Sequence, residues 1–139
     1  VVANKLAKEA AAKERARQDV ARAEAQMMSA YPDEASYKMS LQQTVDALDQ
    51  QIRTTRINLQ SQEKALTGLL DRAAELEQAK QPVPKFMVDN ISKQRNVVAM
   101  QRNALARQQA ERDSTVAAQA RQLARYRELK AAEDAPPEP

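Results

Sequence analysis

Proline interrupts an otherwise unbroken helix-forming chain at only three places. Of the six prolines, Pro82 and Pro84 fall near the middle, Pro136, Pro137 and Pro139 lie at the end, and Pro32 stands alone. Proline lacks an amide hydrogen and drives the residue before it out of the αR region, so helices stop at these points. The rest is rich in strong helix formers, with 27 Ala and 16 Gln among 139 residues and a single Gly. The pattern predicts an all-α chain with one helical domain over residues 1–132. Its first helix covers about residues 3–30, its second about 34–80 and its third about 84–132, with a disordered tail over 133–139. Pro32 and Pro84 suit the first turn of the helix that follows each. Asp33 and Glu34 place negative charge at the positive end of the second helix.

The residues that are missing exclude much chemistry. There is no Cys and no His, and aromatics make up 3%, so zinc sites, disulfides, thiol nucleophiles and imidazole bases are ruled out. Carboxylate pairs such as Asp46 with Asp49 and Glu75 with Glu77 remain. General acid–base work needs a concave site that splits their pKa values, whereas solvated helix surface leaves them alike. The expectation is a non-enzymatic chain with no catalytic residues, cofactor, metal or small-molecule substrate. No stretch approaches the 18 or more apolar residues of a transmembrane helix. The first residue is Val1, with no basic leader and apolar run in front, which reads as a processed chain or an excised fragment.

The second helix carries a seam in steps of four and three: Leu41, Val45, Leu48, Ile52, Thr55, Leu59, Gln62, Leu66, Leu69, Ala73 and Leu76. That is the apolar repeat of a coiled coil. The third repeats Ile91, Val98 and Leu105 at sevens, then steps eleven to Val116 and seven to Leu123. Positions whose numbers add to 164 then face each other, so Leu48 meets Val116, Leu59 meets Leu105 and Leu66 meets Val98. The midpoint of that pairing is the Pro82-Val83-Pro84 breaker, which predicts a long antiparallel helical hairpin with its tip there. In this register Gln62 stands opposite Arg102 and Thr55 opposite Gln109, a polar middle that fixes alignment at some cost in stability.

Charge supports the pairing. Residues 33–80 hold six basic and eight acidic side chains, and residues 85–130 hold ten basic and four acidic. Glu63 and Arg102 are candidates for a flanking ion pair. The arginines Arg95, Arg102, Arg107, Arg112, Arg121, Arg125 and Arg127 resemble a phosphate-tracking stripe, but no aromatics interleave them. A solvated coiled-coil flank accounts better for them, with the stems of Arg95 and Arg112 covering the seam opposite Leu69 and Ile52. Leu6, Val20 and Met27 lie on multiples of seven and, with Met28, form the apolar face of the first helix. Gly68 either admits a third helix closely or is a tolerated surface glycine. Phe86 and Met87 either plug the loop, the preferred reading, or form with Val83 a partner-binding element at the tip.

Several segments together resemble a known group. They are Tyr31-Pro32-Asp33-Glu34-Ala35, Ala47-Leu48-Asp49 through Ile52, Ala73-Ala74-Glu75-Leu76-Glu77 before Pro82-Val83-Pro84, and Arg125-Tyr126-Arg127-Glu128-Leu129. The group is the C-terminal helical region of uncharacterised proteobacterial envelope proteins, and the likeness covers about residues 15–130. Ala-Lys-Gln precedes the Pro-Val-Pro here, where the group suggests a Gly near the tip. The resemblance implies a periplasmic or envelope location and no activity.

The expectation is therefore a structural or interaction module, a spacer or oligomerisation arm in a Gram-negative envelope. A single seam between two arms buries little apolar area per residue, so a homo-oligomer, a dimer first, is expected. An adaptor hairpin docking an envelope protein through its tip is the alternative. A nucleic-acid-associated basic coiled coil in the cytoplasm is a third and less favoured reading.

Overall fold

The computed structural model describes residues 1–137. Over those residues it has three helices and no strand: α1 (Val2–Ala30), α2 (Glu34–Gln78) and α3 (Lys85–Asp134). Glu133 and Asp134, expected in the tail, are helical, whereas Pro136 and Pro137 are not. The last two positions of the expected tail, 138 and 139, lie outside the described residues.

Each boundary has a local cause. The Tyr31 amide still donates to the Met27 carbonyl at 3.0 Å, but Tyr31 itself has φ −125° and ψ 87°, the extended backbone that a following proline favours. Asp33 then caps α2, its carboxylate accepting the Ser36 amide at 2.7 Å and its carbonyl the Tyr37 amide at 3.3 Å. At the other end of α2, Lys80 donates to the Glu77 carbonyl (3.0 Å) and Gln81 to the Leu76 carbonyl (2.8 Å). These paired bonds form the left-handed helix terminator usually supplied by glycine. Here a lysine supplies it, with φ 57° at Lys80. Pro84 precedes α3 and its carbonyl accepts the Met87 and Val88 amides at 3.0 and 3.2 Å. Pro32 and Pro84 thus stand just outside the first turns.

The chain divides into two compact units. One contains Val1–Gln42 and the chain from Gln119 onward, and the other is Gln43–Ala118. In the second unit Val45, Ile52, Thr55 and Leu59 of α2 are buried, and Leu48, Leu66, Leu69, Ala73 and Leu76 are half-buried, following the expected spacing. From α3, Val98 is buried, while Ile91, Gln94, Gln101, Leu105, Gln108, Arg112 and Thr115 are half-buried.

The seam of α3 needs correction at Val116. Instead of stepping eleven residues after Leu105, the half-buried line keeps its period of seven through Arg112. In the other unit the same period continues through Gln119 to Tyr126, while Val116 is 39% exposed. Long polar side chains hold these positions because their alkyl stems lie against apolar surface while their polar ends find partners.

One side-chain pairing differs from expectation. Gln94 donates through Nε2 to the Gln62 carbonyl (2.9 Å) and to Gln62 Oε1 (2.7 Å), so Gln62 is matched with another amide rather than with Arg102. Arg102 instead lies 3.5 Å from Glu63, the flanking pair anticipated from charge. Arg112 lies 3.0 Å from Asp49. Gly68 has open space where a Cβ would stand, so no third helix approaches it closely among the described residues.

Candidate interaction surfaces

In the first unit all three tyrosines of the chain meet. Pro32 ends α1 at Tyr31, Asp33 restarts the helix, and Tyr37 follows one turn later. The Tyr31 and Tyr37 rings lie 5.1 Å apart and tilted, and those of Tyr37 and Tyr126 lie 4.8 Å apart and stacked. Tyr126 is fully buried, and its hydroxyl donates to the Tyr31 carbonyl at 2.8 Å. That bond serves a carbonyl left over by the helix end while giving the buried phenol its partner. The Tyr31 hydroxyl meets Ser40 Oγ at 2.9 Å.

Two arginines flank Tyr126. Arg125 grips Glu24 of α1 with Nε to Oε1 at 2.9 Å and Nη2 to Oε2 at 3.1 Å, and also reaches Glu128 at 3.0 Å. Arg127 pairs with Glu34 in the first turn of α2. The Arg125 guanidinium holds the Glu24 carboxyl below its ordinary pKa, and Arg127 does the same for Glu34. The Ser36 amide lowers Asp33, and Glu24 keeps Arg125 charged beyond its usual range. Burial pushes the Tyr37 phenol upward. Gln119 donates to the Leu41 carbonyl at 2.9 Å, and Leu41 and Leu123 are half-buried in this unit.

This cluster was outside the candidate residues read from sequence, although Tyr31 and Tyr126 stood in the segments that carried the resemblance. The signal for it was the period of seven, which extended past Leu105 reaches Tyr126. The apolar face expected on α1 is only partly covered. Met27 and Met28 are half-buried, whereas every residue from 2 to 23 is exposed, Leu6 and Val20 included.

At the tip the preferred plug is not formed by Phe86, which is 65% exposed. Val83 and Met87 are half-buried. Met87 lines a groove with Arg72, Glu75 and Leu76. The plug fails at Phe86 because its helical position, one residue before Met87, points to a different face. Val88 is exposed as well, so Phe86 and Val88 are the uncovered apolar side chains of the tip.

No helix among the described residues is long and apolar enough to cross a membrane, and no three metal-ligating side chains gather there. No protein-family model matches the chain, and no curated protein or solved structure is significantly similar to it.

Proposed function

We propose that the chain is a non-enzymatic structural and interaction module that works as a homo-oligomer, a dimer first. In the second unit α2 and α3 pair antiparallel as a coiled-coil hairpin. The contacts of Gln62 with Gln94, Glu63 with Arg102 and Asp49 with Arg112 support that arrangement. Bridging cysteines at 63 and 102 with a short bis-maleimide tests it: a bridge within one chain is expected, and one found only between chains would overturn the hairpin.

The observation that carries the oligomer is α1, whose residues 2–23 are all exposed. Most helix stability in proteins comes from packing of an amphipathic face, and Leu6 and Val20 gain most from a covering surface. A second copy is the nearest source of the missing burial. Sedimentation equilibrium should give a dimer or larger at micromolar concentration, and a strictly monomeric folded species would refute this. The resemblance of the Tyr31 and Arg125-to-Leu129 segments supports placing the module in a Gram-negative envelope as a spacer or oligomerisation arm.

The exposure of Phe86 favours a second reading, in which the tip docks an envelope protein such as an outer-membrane channel. Phe86→Ser should abolish crosslinking to that partner with helicity intact. Unchanged crosslinking would exclude the tip.

A further inference from the structure

In the second unit one groove of about 460 Å³ gathers three arginines from two helices, Arg53 and Arg56 of α2 and Arg112 of α3. Buried Ile52 supplies its apolar lining, and Asp49 and Asp113 complete the charged set. Both carboxylates face Arg112, at 3.0 and 3.8 Å. Arg53 donates to a neutral acceptor, Gln50 Oε1, at 2.7 Å. Arg56 has no hydrogen bond or ion pair among the described residues.

The groove thus holds three guanidiniums and two carboxylates, one positive charge in excess, and neither Arg53 nor Arg56, three residues apart on one helix face, is ion-paired. Two further grooves differ: one holds Glu63 with Lys64, the other Arg72 with Glu75, and each is balanced. Guanidinium forks match the oxygens of a tetrahedral oxyanion. A flank that only keeps the helices solvated has no need to converge its cations on one concavity.

We propose that this groove binds a phosphate group, the chemistry shared by free phosphate, small phosphomonoesters and anionic lipid headgroups. Arg53 and Arg56 hold its oxygens, and Arg112, fixed by Asp49 and Asp113, is the positioning residue on the facing helix.

The test is titration of the full ¹⁵N-labelled chain with inorganic phosphate at low salt, following the arginine Nε–Hε resonances, with acetate at equal ionic strength as control. A second arm measures retention on phosphatidic acid vesicles against phosphatidylcholine. An R53Q/R56Q double variant serves both arms. Both side chains are exposed, and circular dichroism verifies that the variant remains helical. Saturable shifts with phosphate, or retention on phosphatidic acid, weakened about tenfold or more in the variant, are expected. The first result assigns the site to free phosphate and the second to a headgroup. Failure of both arms to saturate, an equal response to acetate, or undiminished binding by the variant would overturn the proposal.

Discussion

The phenol of Tyr126 donates a 2.8 Å hydrogen bond to the main-chain carbonyl of Tyr31, 95 residues away in sequence. Pro32 creates the need for it, because the residue before a proline is pushed into extended backbone, which leaves the Tyr31 carbonyl outside the helical ladder. Tyr126→Phe keeps the stacked ring and removes the donor, and should cost about 1–2 kcal/mol of stability. Tyr126→Ala also empties a fully buried site and should cost about 3–5 kcal/mol. Urea unfolding followed by near-ultraviolet circular dichroism measures both. An unchanged midpoint for Tyr126→Phe would remove the hydroxyl from this account.

Acid should loosen the same unit. Glu24, Asp33 and Glu34 have folded pKa values depressed by Arg125, the Ser36 amide and Arg127 respectively. A depressed carboxyl contributes stability above its unfolded pKa, about 4, and loses it as pH falls toward the folded value. Melting temperature should therefore drop on acidification below about pH 4–4.5. Glu24→Gln and Glu34→Gln should flatten the decline, and salt should weaken it because these pairs are exposed. Asp33→Asn should retain the cap, since Asn serves that position, while losing its share of the pH dependence. A melting temperature flat across this range in the native sequence would contradict the assignment.

Two substitutions involving glycine should stabilise the chain in opposite chemical directions. Lys80 occupies the left-handed region at φ 57°, which costs an L-residue about 1–2 kcal/mol. Lys80→Gly relieves that while adding backbone entropy to the unfolded state, for a net gain of up to about 1 kcal/mol. Gly68 lies in the interior of α2 with open space at its Cβ position, so Gly68→Ala should gain about 1 kcal/mol. Thermal unfolding separates the two from Lys80→Ala, which keeps the left-handed cost and should gain nothing.

Helix number, boundaries and the α2 seam were legible because proline and a four–three apolar repeat act locally. Val98 and Val116 show where legibility ended. Both are valines on the third helix, yet Val98 is 3% exposed and Val116 39%. An apolar repeat searched for hydrophobic residues alone skips Arg112 and Gln119, whose stems and hydrogen bonds keep the period of seven going. The tyrosine cluster was missed for a related reason. Its members are far apart in the chain, and nothing local says that Tyr37 stacks on Tyr126. At the tip, hydrophobicity alone does not say which of Phe86 and Met87 faces inward.

The glutamines of α3 supply the sharpest remaining test, since Gln94, Gln101 and Gln108 recur at sevens and share one half-buried line. Spacing makes them equivalent, but hydrogen bonding does not. Gln94 donates to both oxygens of Gln62, while Gln108 buries its Oε1 without a partner among the described residues. Gln94→Leu abandons two bonds and leaves Gln62 Oε1 without its donor, so it should destabilise by about 1–3 kcal/mol. Gln108→Leu removes a desolvated acceptor and adds apolar contact at the same kind of position. It should stabilise by about 1–2 kcal/mol. Their unfolding midpoints in urea should therefore move in opposite directions from the native value. Equal shifts of one sign would mean that the two amides occupy the same environment, and the pairing of Gln62 with Gln94 would then not define the alignment of α2 with α3.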